Sequence, residues 1–225
     1  MERHFEKELE RLKTEIIKMG SIVEEAIAMS IRSLQEKNAD LSRRVIDNDG
    51  RINSLEIKID NMIVDILALQ QPVASDLRTI LAAQTINTDL ERIGDHAVNI
   101  AESALSLAPS PLEGLMMELP KMVEITTIML RNALDSFIHR DPDLAQKVLT
   151  QDDTVDELNR KISKDMVTLM EGNPKSIRSG LELIRVSRNL ERVADLTTNI
   201  AEEVIFLARA KVVKHHAGNQ QDDKS

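Results

Sequence analysis

Apolar residues return along much of this chain at alternating intervals of three and four. Ala83, Ile86, Leu90, Ile93, Ala97, Ile100, Ala104 and Leu107 keep that rhythm, and Leu183, Val186, Leu190, Val193, Thr197, Ile200, Val204 and Leu207 keep it again in the same register. A stripe of this kind is a heptad seam, and a helix that carries one must bury it against neighbours at shallow crossing angles. Read over the whole chain, the pattern predicts six helices: residues 4–36, 41–69, from Ser75 or Asp76 to 107, 119–139, 142–171 and 174–213. The breaks between them are chemically marked. Asn38 or Asp40 is placed to cap the second helix, Gln70-Gln71-Pro72 stops it, and Asp141-Pro142 and Asn173-Pro174 each set a capping side chain before a proline at the first helical position. Pro109-Ser110-Pro111 with Gly114 is the best linker, and residues 214–225 carry too little apolar content to order and are expected to be a disordered tail.

The order of elements repeats. DLERIGDHAVNIAE at 89–102 returns as NLERVADLTTNIAE at 189–202, so Glu91 matches Glu191 and Asp95 matches Asp195. Upstream, NADLSRRVIDNDGRINSLEIKI aligns with DPDLAQKVLTQDDTVDELNRKI, which sets Asp49 against Asp152. The step between copies differs slightly for the two segments, and the difference falls in a loop, where a change of length costs little. The expected architecture is therefore all-α: six helices forming two tandem three-helix bundles related by an internal repeat, the first over residues 1–108 and the second over 115–213.

Composition agrees with this and narrows the chemistry. There are three Phe, no Tyr and no Trp, so the apolar volume comes from aliphatic side chains and Met, a palette that favours helices over sheets. With 29 Lys and Arg against 38 Asp and Glu, the formal net charge is −9. An acidic surface without aromatic platforms disfavours nucleic acid and suits cations or basic partners. The chain has no cysteine, which excludes disulfides and thiolate metal sites. MERHFEKELERLK lacks the apolar centre of a signal peptide and no apolar run is long enough to span a bilayer, so a soluble, cytoplasmic protein is expected.

The repeated acids carry the candidate chemistry. With Leu90 and Ile93 at the a and d positions, Glu91, Asp95, Asn99 and Glu102 fall on the outer face of their helix, and Asp49, Asn53, Glu56 and Asp60 lie off the seam of the helix before it. An acidic outer face is ordinarily plain solvated surface, and Arg92, Arg188 and Arg192 are placed to pair with it. Yet carboxylates four apart repel by roughly 0.2–0.5 kcal/mol. Finding Glu-Arg-apolar-small-Asp followed by Asn-Ile-Ala-Glu in both halves, with no packing need for it, points to oxygens sharing a cation. Paired acids from two neighbouring helices supply four or more hard oxygen ligands, suited to magnesium, calcium, manganese or iron. His96 points elsewhere on the wheel and reads as a surface histidine. The Glu-x-x-His signature of di-iron bundles, a phosphate-cradling glycine loop and a nucleophile with its base are all missing.

The two LER[IV]xD segments, the QQPVASDLR that precedes the first and the tandem three-helix plan resemble the PhoU family over residues 1–213. That resemblance implies a non-enzymatic negative regulator of the phosphate-starvation response, commonly a homodimer, working at the inner face of the membrane without crossing it. It implies partners in the ATPase subunit of a phosphate transporter and in a sensor histidine kinase that is held inhibitory when phosphate is plentiful. It further implies multinuclear clusters of divalent or trivalent metal ions (iron, zinc, manganese or magnesium). By position, the ligands would be Glu91 with Asp95, Glu191 with Asp195 and Asp152 with Asp156, with Asn99 and Asn199 on the same helices. The second helix departs from the pattern, because Asp49 is followed by Asn53, so unequal metal occupancy of the two halves is expected. Ala194 standing where the first half has Gly94 is expected to matter little. Two other classes remain: a metal-dependent enzyme acting on phosphate esters, which outer-face carboxylates without a cleft disfavour, and a plain helical scaffold.

Overall fold

The computed structural model describes residues 2–70, 72, 74–109 and 118–209, and among these every regular element is helical. In chain order they are α1 (Glu2–Gln35), α2 (Ala39–Gln70), α3 (Ala74–Leu107), α4 (Leu119–His139), α5 (Pro142–Leu149), α6 (Asp152–Gly172) and α7 (Ile177–Arg209), with a 3-10 turn at Pro174–Ser176 leading into α7. The fifth helix of the sequence pattern is present but interrupted: the chain turns at Thr150 and Gln151, so α5 and α6 are two segments of one predicted element, and counted together they leave six helices. The Thr150 hydroxyl donates to Lys147 O at 2.8 Å, a local bond that competes with helix propagation at the break. Most of the linker and the whole tail at 214–225 lie outside the described residues.

Each helix begins where its chemistry allows. Asn38 Oδ1 accepts from the N–H of Asp40 at 3.1 Å and of Leu41 at 3.2 Å, so Asn38 is the cap of α2. Asp141 does the same for α5, accepting from the N–H of Asp143 and Leu144 at 3.0 Å, with Pro142 at the first helical position. The residues just before these caps, Lys37 and Arg140, both take left-handed backbone conformations with φ of 53°.

The heptad seam is the core. Of its sixteen positions only Leu207 is not fully buried, and it packs against the rest. In the first unit α1, α2 and α3 pack on one another; in the second, α4, α5 and α6 pack on α7. The two units then dock through α3 against α7, reinforced where α1 meets α4 and Arg131 reaches Glu24 at 2.7 Å. Because α3 and α7 have neighbours on three sides, they are lined with small residues such as Ala83, Ala97, Ala101, Ala194 and Ala201, which let the helices approach closely.

One packing detail links the repeats. A Cβ on Gly94 would stand 2.8 Å from Ile52 Cδ1 and 3.3 Å from its Cγ2. In the second unit the aligned pair is Ala194 and Val155, both fully buried. The methyl absent from one side of the contact in the first unit appears there, and the opposite side is correspondingly shorter.

Candidate functional site

The acids stand on α2 and α3 in the first unit and on α6 and α7 in the second, fixed by helices whose other faces are in the core. Asp95 is exposed while Asp49, Asn53, Glu56 and Glu91 are half-buried. Asn53 donates to Asp49 Oδ2 at 3.0 Å, which ties these two together along α2. The remaining oxygens, Asp49 Oδ1 and Asn53 Oδ1, are buried with no hydrogen-bond partner among the described residues.

Electrostatics show that the group acts as one field. Burial, then the charges of Asp95, Glu56 and Asp49, push the Glu91 carboxyl above its ordinary range. Burial and the charge of Asp49 raise Asp95, and burial with Asp60 and Asp95 raises Glu56. In the second unit burial and Asp195 raise Glu191, with Asp156 adding to the effect and Arg192 and Arg188 working against it. Carboxylates that raise one another and sit beside buried, unanswered oxygens are surroundings that favour a proton or a cation. Even so, among the described residues no three His, Asp or Glu side chains are already gathered on one point. The carboxylates are neighbours rather than a closed cage.

The structure adds a residue to the sequence-derived set. Glu56 belongs with Glu91 and Asp95, and its aligned counterpart in the second unit is Asn159, whose Oδ1 accepts from Ser187 at 2.9 Å. The aligned pairs are therefore Asn53 with Asp156 and Glu56 with Asn159: amide and carboxylate exchange places one turn apart. Each unit keeps four carboxylates, Asp49, Glu56, Glu91 and Asp95 in one and Asp152, Asp156, Glu191 and Asp195 in the other. The departure at Asn53 is thus offset in carboxylate number within its own helix. Both units set an arginine against the glutamate, Arg92 beside Glu91 and Arg192 beside Glu191, but only the second adds Arg188 and has its arginine 3.3 Å from the aspartate, Arg192 to Asp195. The signal for Glu56 was in the sequence: it lies seven residues after Asp49, on the same face.

Asn99 and Asn199 are placed differently from the acid pairs. Asn99 Oδ1 accepts from Arg185 at 3.1 Å, and the same guanidinium bonds Glu102 at 2.7 Å. Asn199 hydrogen-bonds the carboxylate of Asp89, which is buried. His96, half-buried rather than a free surface residue, sets Nδ1 2.8 Å from Asn189 Oδ1. All of these contacts join α3 to α7, which run antiparallel, so the face that looked open on one helical wheel is partly an interface between the units. His96, Asn99 and Glu102 read as surface on the wheel because nothing apolar marks that face.

The PhoU domain family model matches residues 16–104 and again 119–204, one match within each unit. The Aquifex aeolicus protein named phosphate-specific transport system accessory protein PhoU homolog is 40% identical over 209 residues, 93% of this chain and 95% of that protein. The Escherichia coli phosphate-specific transport system accessory protein PhoU is 32% identical over 97% of this chain and 90% of its own length. Among solved structures, PhoU from Pseudomonas aeruginosa superposes with a TM-score of 0.90 at 36% identity, covering 92% of this chain and 100% of that one. The phosphate transport system regulatory protein PhoU from Streptococcus pneumoniae gives 0.87 at 28% identity, covering 94% and 100%. With two family matches at the two repeats, and relatives of this identity over nearly its whole length, the chain belongs to the PhoU family.

Proposed function

We propose that this chain is a non-enzymatic regulator of phosphate uptake and of the response to phosphate starvation. The names of its relatives, accessory and regulatory proteins of phosphate transport, support that reading. In the fuller form, it links the transporter's ATPase subunit to a sensor histidine kinase, works as a homodimer in the cytoplasm, and holds the response off when phosphate is plentiful. No described helix is long and apolar enough to cross a membrane, which fits a protein peripheral to the membrane at most. A binder of this kind acts by differential affinity, stabilising one state of its partners.

The observation that carries the metal part of the reading is the duplicated set of four carboxylates. The donor set fits a hard cation: oxygen ligands only, mutually raised acids, and two buried oxygens of Asp49 and Asn53 that lack partners among the described residues. Asp49, Glu56, Glu91 and Asp95 would hold it in the first unit and Asp152, Asp156, Glu191 and Asp195 in the second. A bound divalent or trivalent ion (iron, zinc, manganese or magnesium) would supply positive charge to a surface that otherwise repels acidic partners. The protein's own part is to fix the carboxylates on rigid helices and to cancel some of their field, with Arg92 in the first unit and with Arg188 and Arg192 in the second.

Three measurements test this. Pull-down from cells grown in high phosphate should recover the transporter ATPase or the sensor kinase, and deletion of the gene should derepress starvation genes in rich medium; normal repression in the deletion strain would reject the regulatory reading. Elemental analysis of protein purified without added metal should find bound ions that are lost from Glu91→Gln and Glu191→Gln. Absence of metal in the unaltered chain rejects the metal reading alone.

A further inference from the structure

Where the two units meet, the first turns of α3, the turn after α4 and the end of α7 enclose a cavity of about 280 Å³. Phe137 and Val204 supply apolar wall, while Asp76, Arg78, Thr79 and Arg140 supply the polar lining. Arg78 comes from the first unit and Arg140 from the second. Arg140 is projected from a fixed left-handed turn, in which its own N–H is held by Phe137 O at 3.4 Å and the next N–H by Ser136 O at 2.9 Å.

Some arginines are matched to acids, as Arg131 is to Glu24, Arg185 to Glu102, Arg192 to Asp195 and Arg43 to Asp40. Arg78 and Arg140 have no side-chain hydrogen bond or ion pair with any described residue, although acidic residues outnumber basic ones, 38 to 29. Glu10 feels the Arg140 charge at longer range, and Asp76 lines the same cavity without pairing to either guanidinium. Two arginines lining one small cavity suit a tetrahedral oxyanion, since each guanidinium can offer paired N–H donors. The volume sits at the low end of the roughly 300–1,000 Å³ of small-molecule clefts, too small for a nucleotide.

We propose that this cavity binds a small tetrahedral oxyanion, either free phosphate or the phosphoryl end of a small phosphomonoester, clamped between Arg78 and Arg140. The inference stands apart from the regulatory reading, since it needs only the purified chain. An anion held there bridges the two units at a place where, among the described residues, no charge pair joins them. Asp76 opposes it and sets the affinity lower than the arginines alone would allow.

Calorimetric titration of the full chain at constant ionic strength, with inorganic phosphate in one arm and phosphoserine in the other, tests it. Saturable binding is expected in at least one arm, and the tighter arm identifies the source of the phosphoryl group. Arg78→Gln and Arg140→Gln should each weaken binding by about tenfold or more, the loss expected for a charge-assisted bond. Asp76→Asn should tighten it, and Lys121→Gln on exposed α4 surface should leave it unchanged. If Arg140→Gln perturbs its turn, as a helical spectrum would reveal, Arg78→Gln and Asp76→Asn decide the matter. No saturable binding in either arm, or binding indifferent to these substitutions, overturns the proposal.

Discussion

Asp89 is the residue whose environment and chemistry are most at odds. It is 3% exposed, it bonds Asn199 across the units, and its carboxyl is pushed up to about 6, by burial first, with Glu203 adding and Arg92 and Asn199 opposing. Since the folded value exceeds the unfolded one, the folded chain binds more protons between these values. Stability therefore falls as pH rises from about 4 to about 6 and stays lower above, by up to about 3 kcal/mol. Asp89→Asn should remove that slope, raising the urea midpoint near neutral pH and changing it little at about pH 4; a variant with the same pH profile as the parent contradicts the assignment. Gly94 offers a second test at this scale. Adding its methyl gains about 1 kcal/mol of helix propensity, but the methyl meets Ile52 at 2.8 Å, and overpacking costs about 1–3 kcal/mol. Gly94→Ala should be neutral to destabilising by about 2 kcal/mol. The double variant with Ile52→Val, which copies Val155 and Ala194, should recover most of the loss in a double-mutant cycle.

At the scale of the element, the sequence was most readable where apolar spacing and capping chemistry coincide. The seam of α3 and α7 is buried as its rhythm requires, and α4 begins and ends where the punctuation placed it. Asp141 caps α5 with two accepted bonds, so Asp141→Ala should lower stability by about 1 kcal/mol, measured by urea unfolding, while Asp141→Asn should keep most of it. The interruption at Thr150 and Gln151 was not readable, because neither glycine nor proline marks it and the aligned stretch of α2 is one continuous helix. Glu91, Asp95, Glu191 and Asp195 were readable for the same reason that the seam was, since they repeat at fixed spacing, and Asp49 with Asp152 followed from the aligned segment upstream. Glu56 was harder to find, since its counterpart is Asn159 and the repeat does not preserve the letter.

At the scale of the whole molecule, the docking of α3 on α7 is what the sequence concealed. Its contacts, Asp89 to Asn199, His96 to Asn189 and Arg185 to Glu102, are polar, and polarity on a helical wheel reads as solvent. These helices are also the centre of each unit, so opening one unit exposes the other. Hydrogen exchange should therefore find the core amides of α3 and α7 sharing one opening free energy that responds together to Ile93→Ala or Val193→Ala. Independent exchange of the two helices would mean that the units unfold separately.

The two reciprocal exchanges, Gly94 and Ile52 for Ala194 and Val155, and Asn53 and Glu56 for Asp156 and Asn159, have a practical corollary for anyone recombining the halves. The first is settled between a long central helix and the one preceding it, the second within that preceding helix, and neither reaches across to the other copy. Divergence after duplication has thus been absorbed hairpin by hairpin. A chimera that transplants α2 with α3 as one piece inherits a matched interior and a full complement of acids, whereas one cut between them mismatches a methyl in the core.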